Sequence, residues 1–169
     1  ALLSERIPAH LRHPEGEWFG LSTRARVIAH KKDMALPAGF GTYEALADEA
    51  FRGQVCMRSS GNIYNLSLMA SLIDAHGAPA AEAWAKGVVA NFARTPQSND
   101  TGQLKAVASG ECTITIANTY YLGRLMASTK PEDKALMANL EIVFPNQDGR
   151  GTHVNISGAG VTKYAPNRE

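Results

Sequence analysis

QVCMRSSGNIYN, residues 54–65, carries the clearest signal of fold class in this sequence. Its first part, residues 54–58, is apolar enough to predict a buried strand. A polar turn follows at 59–62, and apolar residues then recur at helical spacing from Ile63 to Ile73. A strand that leads through a short polar turn into a helix is the building unit of α/β proteins.

The rest of the chain continues this alternation. Strands are predicted at 26–30, 112–117 and 141–144, and extended segments at 153–156 and 159–162. Helices are predicted from a Thr42 N-cap to Gly53, and then at 80–92, 100–109, 120–128 and 131–140, with Asp100 as the N-cap of its helix. This order predicts an α/β fold with a mostly parallel sheet flanked by helices, because parallel strands need crossover connections.

Composition excludes several classes of protein. The chain has 169 residues, a formal net charge of +1 and 44% hydrophobic residues, which fits one domain or two small lobes with a sizeable core. Near-neutral charge without a Lys/Arg cluster argues against nucleic acid as a partner. No apolar run approaches the ~20 residues of a membrane span, so the chain is not expected to be transmembrane itself.

The two cysteines, Cys56 and Cys112, are too few for a disulfide scaffold and lack the spacing of a zinc site. Two interpretations remain open from the residues alone. In the first, the cysteines are two buried thiols. In the second, they form a single bridge, which would imply an oxidising compartment.

Ligands of α/β sheets gather where strands end, which directs attention first to residues 58–64. Ser59, Ser60 and Gly61 lie at the start of a predicted helix, where backbone N–H groups and hydroxyls form an anion-binding corner. The alternative is that Ser59 or Ser60 simply caps the helix.

The second strand end is Asn118-Thr-Tyr-Tyr121, with Arg124 one turn further on. Two adjacent tyrosines cannot both face the core, and Tyr64 lies one turn into the helix after the other strand. Three converging phenols indicate a hard cation, because a phenol with a pKa of about 10 ionises at neutral pH only beside a metal or a strong positive field. Ferric ion is the hard, oxygen-seeking case. Arg124 would balance the phenolates or serve as a surface cation.

At these residues the chain resembles the periplasmic ferric-iron-binding proteins of bacterial ABC importers, a type II solute-binding family. The ordered match covers essentially the whole chain from about residue 7. The stretches that carry it are VCMRSSGNIYN (55–65), WAKGVVANFAR (84–94), ND with LKAVASGEC (within 99–112), IANTYYLGR (116–124), FPNQ (144–147) and RGTHVNISGAGVTKYAPN (150–167).

The resemblance implies one lobe of a two-lobed clamp that closes over Fe(III). Tyr120 and Tyr121 match the family's paired iron-binding tyrosines, and Tyr64 matches a third tyrosine ligand. Arg124 matches a basic position that acts as a charge partner behind the ligands.

The resemblance also bears on an accompanying anion, such as carbonate or citrate. The positions that match the anion-holding residues of other members are Ser59, Ser60, Gly61 and Asn118. This sequence has Asp100 where anion-using relatives tend to have a neutral amide. A carboxylate in the crevice is expected to repel the anion and to favour the cation.

The implied function is ferric binding in the periplasm and delivery to an ABC transporter permease in the inner membrane. We expect no enzyme, since an enzyme with Cys56 or Ser59 as nucleophile would lack a G-x-S-x-G elbow and a recognisable acid–His pair. The alternative is a solute-binding lobe that holds an organic or phosphorylated anion at the helix N-terminus of residues 59–62. A periplasmic location also favours the Cys56–Cys112 bridge.

Domain organisation is predicted from the same resemblance. Residues 1–33 would be a connecting segment with the first hinge strand, 34–150 the ligand-binding lobe, and 151–169 the return hinge strands with the start of a C-terminal part. Family members are much longer, so the chain is expected to be a fragment that holds the second lobe. Such a lobe should bind iron more weakly than an intact clamp, and it is expected to self-associate through its exposed crevice and unpaired hinge strands.

Overall fold

The computed structural model describes residues 2–37 and 39–166. The last three residues of the predicted segment 151–169, and with them the final residue of the motif at 150–167, lie outside this range. Contacts divide the chain into two compact units. One unit takes the two ends of the chain, up to Arg24 and from Val154 onward, and the other takes Ala25–His153.

Helices and strands alternate through most of the chain. The strands are β1 (Phe19–Lys31), β2 (Val55–Cys56), β3 (Ile114–Asn118), β4 (Leu140–Val143) and β5 (Val154–Ala159). The helices are α1 (Leu2–Arg6), α2 (Ile63–His76), α3 (Ala78–Ala90), α4 (Asp100–Ser109), α5 (Thr119–Met126) and α6 (Pro131–Ala138), with short 3-10 turns at Ala9–Leu11, Glu44–Ala47 and Glu49–Phe51. No helix of the described residues has the length and apolar character needed to cross a membrane.

The strands form one sheet in the order β2-β3-β1-β4, and β5 pairs with β1. β2 and β3 run parallel, because helices α2, α3 and α4 cross over between them. β1 runs antiparallel to β3 and to β4, with Arg26 opposite Asn118 on β3 and Ile28 opposite Val143 on β4. The α/β class with helices flanking the sheet is confirmed, and the pairing directions make the sheet a mixed one.

Two helix caps differ from those that the sequence offered. α2 is capped by Asn62, whose side chain accepts from the Tyr64 N–H, and not by either of the preceding serines. α4 is capped by Asn99, so the prediction that Asp100 is the N-cap is wrong. Asp100 is the first helical residue and is completely buried. Burial of this carboxylate requires partners that a sequence does not show.

The core lies on both faces of the sheet. Along β1, Val27 and Ala29 pack into one apolar cluster and Ile28 packs into the other, which is the alternation of a strand. The first cluster also contains Cys56 and Cys112, which the structure joins in a disulfide with a Cα–Cα distance of 5.9 Å. The bridge ties the segment ahead of β3 to β2.

Candidate functional site

The predicted tyrosines lie together at one edge of the sheet. α5 begins directly after β3, which places Tyr120 and Tyr121 in its first turn. Tyr64 is the second residue of α2, which follows β2 after a short turn. Because β2 and β3 are parallel neighbours, the segments that leave their carboxyl ends meet. The Tyr120 hydroxyl donates to the Tyr64 hydroxyl at 3.0 Å.

The third phenol belongs to the same cluster. The rings of Tyr120 and Tyr121 have centroids 4.3 Å apart and are tilted by 31°. Tyr120 is 43% exposed, so the cluster opens to solvent. The structure therefore brings together all three tyrosines that the sequence selected. We call Tyr64, Tyr120 and Tyr121 the tyrosine cluster.

The surroundings of Tyr120 favour its protonated form. Burial, followed by hydrogen bonds with Tyr121 and Tyr64, raises the pKa of Tyr120 well above its ordinary value. A phenol in this setting ionises only when a cation repays the removal of its proton. The cluster is thus a set of oxygen donors whose anionic form depends on a bound cation.

A buried ion network lies behind the tyrosine cluster. The sequence did not predict these ion pairs. Arg26 donates to one carboxylate oxygen of Asp100 at 2.6 Å, and Arg58 donates to the other at 3.0 Å. Arg26 is 2% exposed and Asp100 is 0% exposed. The Asn118 backbone N–H adds a third bond to Asp100, at 2.9 Å. The expectation that Asp100 presents its charge to the crevice is wrong, because the carboxylate is buried and ion-paired.

The two guanidinium groups respond differently to this setting. Burial lowers the pKa of Arg26 in spite of the attraction of Asp100. Burial also acts to lower the pKa of Arg58, but hydrogen bonding to Asp100, with a further bond to Tyr121, outweighs it and the pKa rises. Two guanidiniums against one carboxylate leave the network with a net charge of +1 behind the phenols. A positive charge at this place stabilises phenolates.

The network touches the tyrosine cluster directly. The Arg58 Cζ lies 5.1 Å from the centroid of the Tyr64 ring, and the Arg26 Cζ lies 5.7 Å from it. Asn65 fixes both arginines, since its Oδ1 accepts from Arg26 at 2.7 Å and its Nδ2 donates to the Arg58 carbonyl at 3.1 Å. A clue was present in the sequence, because Arg26 begins an otherwise apolar strand segment.

Arg124 contacts the tyrosine cluster at Tyr121. Its guanidinium donates to the Thr101 hydroxyl at 3.0 Å, and its Cζ lies 5.6 Å from the centroid of the Tyr121 ring. It therefore lies beside the phenols, as the sequence analysis expected of a charge partner.

The residues selected for an anion fall into two settings. Ser59, Ser60 and Gly61 lie on an exposed turn, where the Ser59 hydroxyl accepts from the Gly61 N–H at 3.2 Å. Asn118 is buried, and its Oδ1 accepts from Arg26 at 3.3 Å. Its Nδ2 has no hydrogen-bond partner among the residues that the structure describes. In the turn at residues 59–61, the Ser59 hydroxyl and the Gly61 N–H are therefore already bonded to each other.

Donor chemistry separates this cluster from the common protein metal sites. Within residues 2–37 and 39–166, no three His, Cys, Asp or Glu side chains come together in a group that could hold a metal ion. The oxygen donors are phenols, backed by positive charge. Such a set suits a small, highly charged, oxygen-seeking cation rather than Zn²⁺ or Ca²⁺.

The chain thus combines a mixed sheet and flanking helices with a tyrosine cluster at the carboxyl ends of two parallel strands. The family model described as "Bacterial extracellular solute-binding protein" matches residues 3–169. The chain belongs to that family.

Individual relatives agree with this assignment. The chain is 55% identical over 168 residues to iron uptake protein A1 of Synechocystis sp.. This match covers 99% of the chain and 47% of the relative. It is 52% identical to iron uptake protein A2 of the same organism, over 99% of the chain and 49% of the relative. The chain thus spans about half the length of the curated relatives that it matches.

Solved structures show the same likeness. The Trichodesmium protein IdiA (FutA) in complex with iron and citrate superposes with a TM-score of 0.91 at 57% identity, over 99% of this chain and 53% of that one. The ferric binding protein from Campylobacter jejuni superposes with a TM-score of 0.91 at 44% identity, over 98% and 52%.

Proposed function

We propose that this chain binds ferric iron through the phenolate oxygens of Tyr64, Tyr120 and Tyr121. The observation that carries the proposal is the 3.0 Å bond between the Tyr120 and Tyr64 hydroxyls. Two phenol oxygens at this distance, with a third ring stacked beside them, are close enough to share one cation. The named relatives are iron uptake and ferric-binding proteins, which supports the choice of metal.

Charge balance favours the trivalent ion. Three phenolates supply three negative charges, and Fe(III) neutralises them while accepting hard oxygen ligands. The Arg58 guanidinium lies over the Tyr64 ring and the Arg124 guanidinium lies over the Tyr121 ring, so positive charge stands beside the proposed ligands. Iron therefore replaces protons in the cluster, and no redox or covalent chemistry by the protein is needed.

We infer a transport role from the family and the metal. In this role the protein acts in the periplasm, carries ferric iron and delivers it to the permease of an ABC importer in the inner membrane. The Cys56–Cys112 disulfide supports an oxidising compartment. The role is that of a binding protein rather than of an enzyme, since the cluster holds oxygen ligands and the named relatives are uptake and binding proteins.

An accompanying anion stays part of the proposal in a restricted form. Three phenolates leave about three positions of an octahedral ferric ion for water or a small oxyanion. The relative from Trichodesmium carries citrate with its iron. The sequence-based alternative, an organic or phosphorylated anion held at residues 59–62 without iron, finds less support, because Asn62 and Ser59 already accept from the N–H groups of Tyr64 and Gly61.

The test is a titration of the purified chain with ferric citrate, followed by visible absorption. Ferric iron bound to phenolate gives a charge-transfer band, which citrate alone does not give. We expect the band to appear at a stoichiometry of one iron per chain, and to be lost in Tyr64→Phe and in Tyr120→Phe. Tyr164→Phe is the matched control, since Tyr164 is 87% exposed and lies in the other unit. A colourless wild-type protein after titration would contradict the proposal.

A further inference from the structure

Asp100 has a set of partners that is unusual for a side chain. Its Oδ2 accepts from the Arg26 guanidinium at 2.6 Å and from the Asn118 backbone N–H at 2.9 Å, and its Oδ1 accepts from Arg58 at 3.0 Å. Two guanidiniums and a backbone amide are the donors that proteins use to bind a free carboxylate or phosphate. The carboxylate of Asp100 thus receives the bonds that a bound oxyanion would receive.

The partners come from separate parts of the fold. Arg26 belongs to β1, Arg58 follows β2, Asn118 ends β3, and Asp100 opens α4. Packing of the core alone does not require a completely buried carboxylate at their meeting point, since an apolar residue of similar size would avoid the cost of removing a charge from water. A role in the neighbouring site explains why the charge is kept.

The carboxylate controls where the two guanidiniums lie. Arg26 and Arg58 repel each other, and both stand within 6 Å of the Tyr64 ring centroid, at 5.7 and 5.1 Å. Asp100 bridges them with one oxygen for each. Without it, two like charges would share the space behind one phenol, and each guanidinium would lose its only ionic partner among the residues that the structure describes.

We propose that Asp100 is a built-in anion of the ferric site: a positioning residue that fixes Arg26 and Arg58 behind Tyr64 and fills the place of a dissociable oxyanion. The inference rests on the proposed ferric function. It assigns the carboxylate a role in tuning the phenol that binds iron, in addition to its contribution to the fold.

Chemical rescue provides the test. Asp100→Ala removes the carboxylate and leaves a space that formate, the smallest carboxylate, matches. In chloride buffer we expect the ferric affinity of this variant, measured by competition with citrate, to fall by about tenfold or more. In formate buffer of equal ionic strength most of the affinity should return, together with the wild-type position of the charge-transfer band. Formate should also raise the thermal midpoint of the iron-free variant.

Two controls make the outcome decisive. The wild type and Asp74→Ala, which removes an exposed carboxylate of α2, should bind iron equally in formate and in chloride. Asp100→Asn keeps the volume of the side chain and removes its charge, so in chloride buffer it should fold and bind iron less tightly than the wild type.

Specific results would overturn the inference. One is an Asp100→Asn variant with wild-type ferric affinity. Another is an Asp100→Ala variant that formate stabilises thermally without any change in iron affinity or in the band, because that result assigns the carboxylate a structural role alone. A wild type that binds no iron would refute the ferric function instead, and a formate-dependent thermal midpoint in the iron-free Asp100→Ala variant would still show that the place accepts an anion.

Discussion

Two settings of the same side chain illustrate how this molecule separates structure from function. Tyr43 is completely buried, and its hydroxyl donates to the Arg26 carbonyl and accepts from the His153 N–H at 3.1 Å. Tyr120 is 43% exposed, and its hydroxyl donates to another phenol. A phenol committed to backbone groups holds segments of the chain together. A phenol paired with a second phenol presents oxygen to a ligand.

Protonation in the two settings has different origins. Burial raises the pKa of Tyr43 to about 12, against the influence of the His153 N–H and of nearby arginines. The pKa of Tyr120 is raised by burial as well, but hydrogen bonds with the other two phenols of the cluster contribute to it. A bound cation replaces those phenol–phenol bonds in the cluster, whereas nothing could replace the backbone partners of Tyr43.

The strongest test of this difference removes oxygen from the cluster. The double variant Tyr120→Phe/Tyr121→Phe should lose ferric affinity by about 100-fold or more, because the loss of direct ligands exceeds the 10–100-fold cost of losing a supporting contact. Its thermal midpoint should stay close to that of the wild type, since Tyr120 is partly exposed and the rings remain. Citrate competition and thermal unfolding measure the two effects. A loss of stability comparable to the loss of affinity would remove the distinction between the two settings.

The scaffold under both settings is tested by removing the disulfide. Cys56 and Cys112 are 56 positions apart, and closing a loop of that length stabilises the folded chain by about 4 kcal/mol in the chain-entropy model. Cys56→Ala/Cys112→Ala should therefore unfold at a clearly lower urea concentration. Below its unfolding transition the variant should still develop the ferric band. A folded variant without the band would show that the bridge orients the cluster itself.

Removing the hydroxyl of Tyr43 should lower stability and leave iron binding unchanged, which is the reverse of the result expected for the tyrosine cluster. Tyr43→Phe leaves the Arg26 carbonyl and the His153 N–H without this partner, which is expected to cost about 1–3 kcal/mol and a few degrees of thermal midpoint. The saturated ferric band should keep its wild-type intensity. Urea unfolding and iron titration of the same preparation provide the comparison, and a weakened band in folded Tyr43→Phe would mean that this phenol also serves the metal.

The smallest effect concerns the surroundings of Tyr43. Burial acts to raise the pKa of Glu44, but hydrogen bonds from Asn146, His76 and Arg150 outweigh it and lower the pKa to about 2. A carboxylate whose pKa is lower in the folded than in the unfolded chain stabilises the fold above the unfolded value and loses this effect as the pH falls through the folded value.

Glu44→Gln should therefore lower the free energy of unfolding slightly at pH 6, by less than about 1 kcal/mol because the site is partly exposed. The difference from the wild type should fade as the pH falls from the ordinary value of 4.5 to about 2. Thermal unfolding across this range measures it. A difference that grows in acid would show that another group controls this region.

Sequence reasoning succeeded where the signals are local. A strand, a polar turn and a helix start can each be recognised within about a dozen residues, and the rule that ligands gather at strand ends then selected Tyr64, Tyr120 and Tyr121. The structure brings those three side chains together at one edge of the sheet. Their role as iron ligands stays a prediction.

Sequence reasoning failed where partners are distant in the chain. Arg26 and Asp100 are 74 positions apart and Arg58 and Asp100 are 42 apart, so no periodicity connects them. Whether β1 runs parallel or antiparallel to other strands depends on which strands it pairs with, and the order of elements does not contain that information. Asp100 also carried a false local signal, since Asp is a favoured N-cap but Asn99 holds that place here.

The bond from the Asn118 N–H to Asp100 makes one amide proton a reporter of the whole site. It is buried at the junction of β3 and α5, and its acceptor is held by two arginines. Exchange of this proton with solvent deuterium requires the ion network to come apart. Its exchange rate would follow the opening of the ion network, and would show whether iron slows that opening or leaves it unchanged.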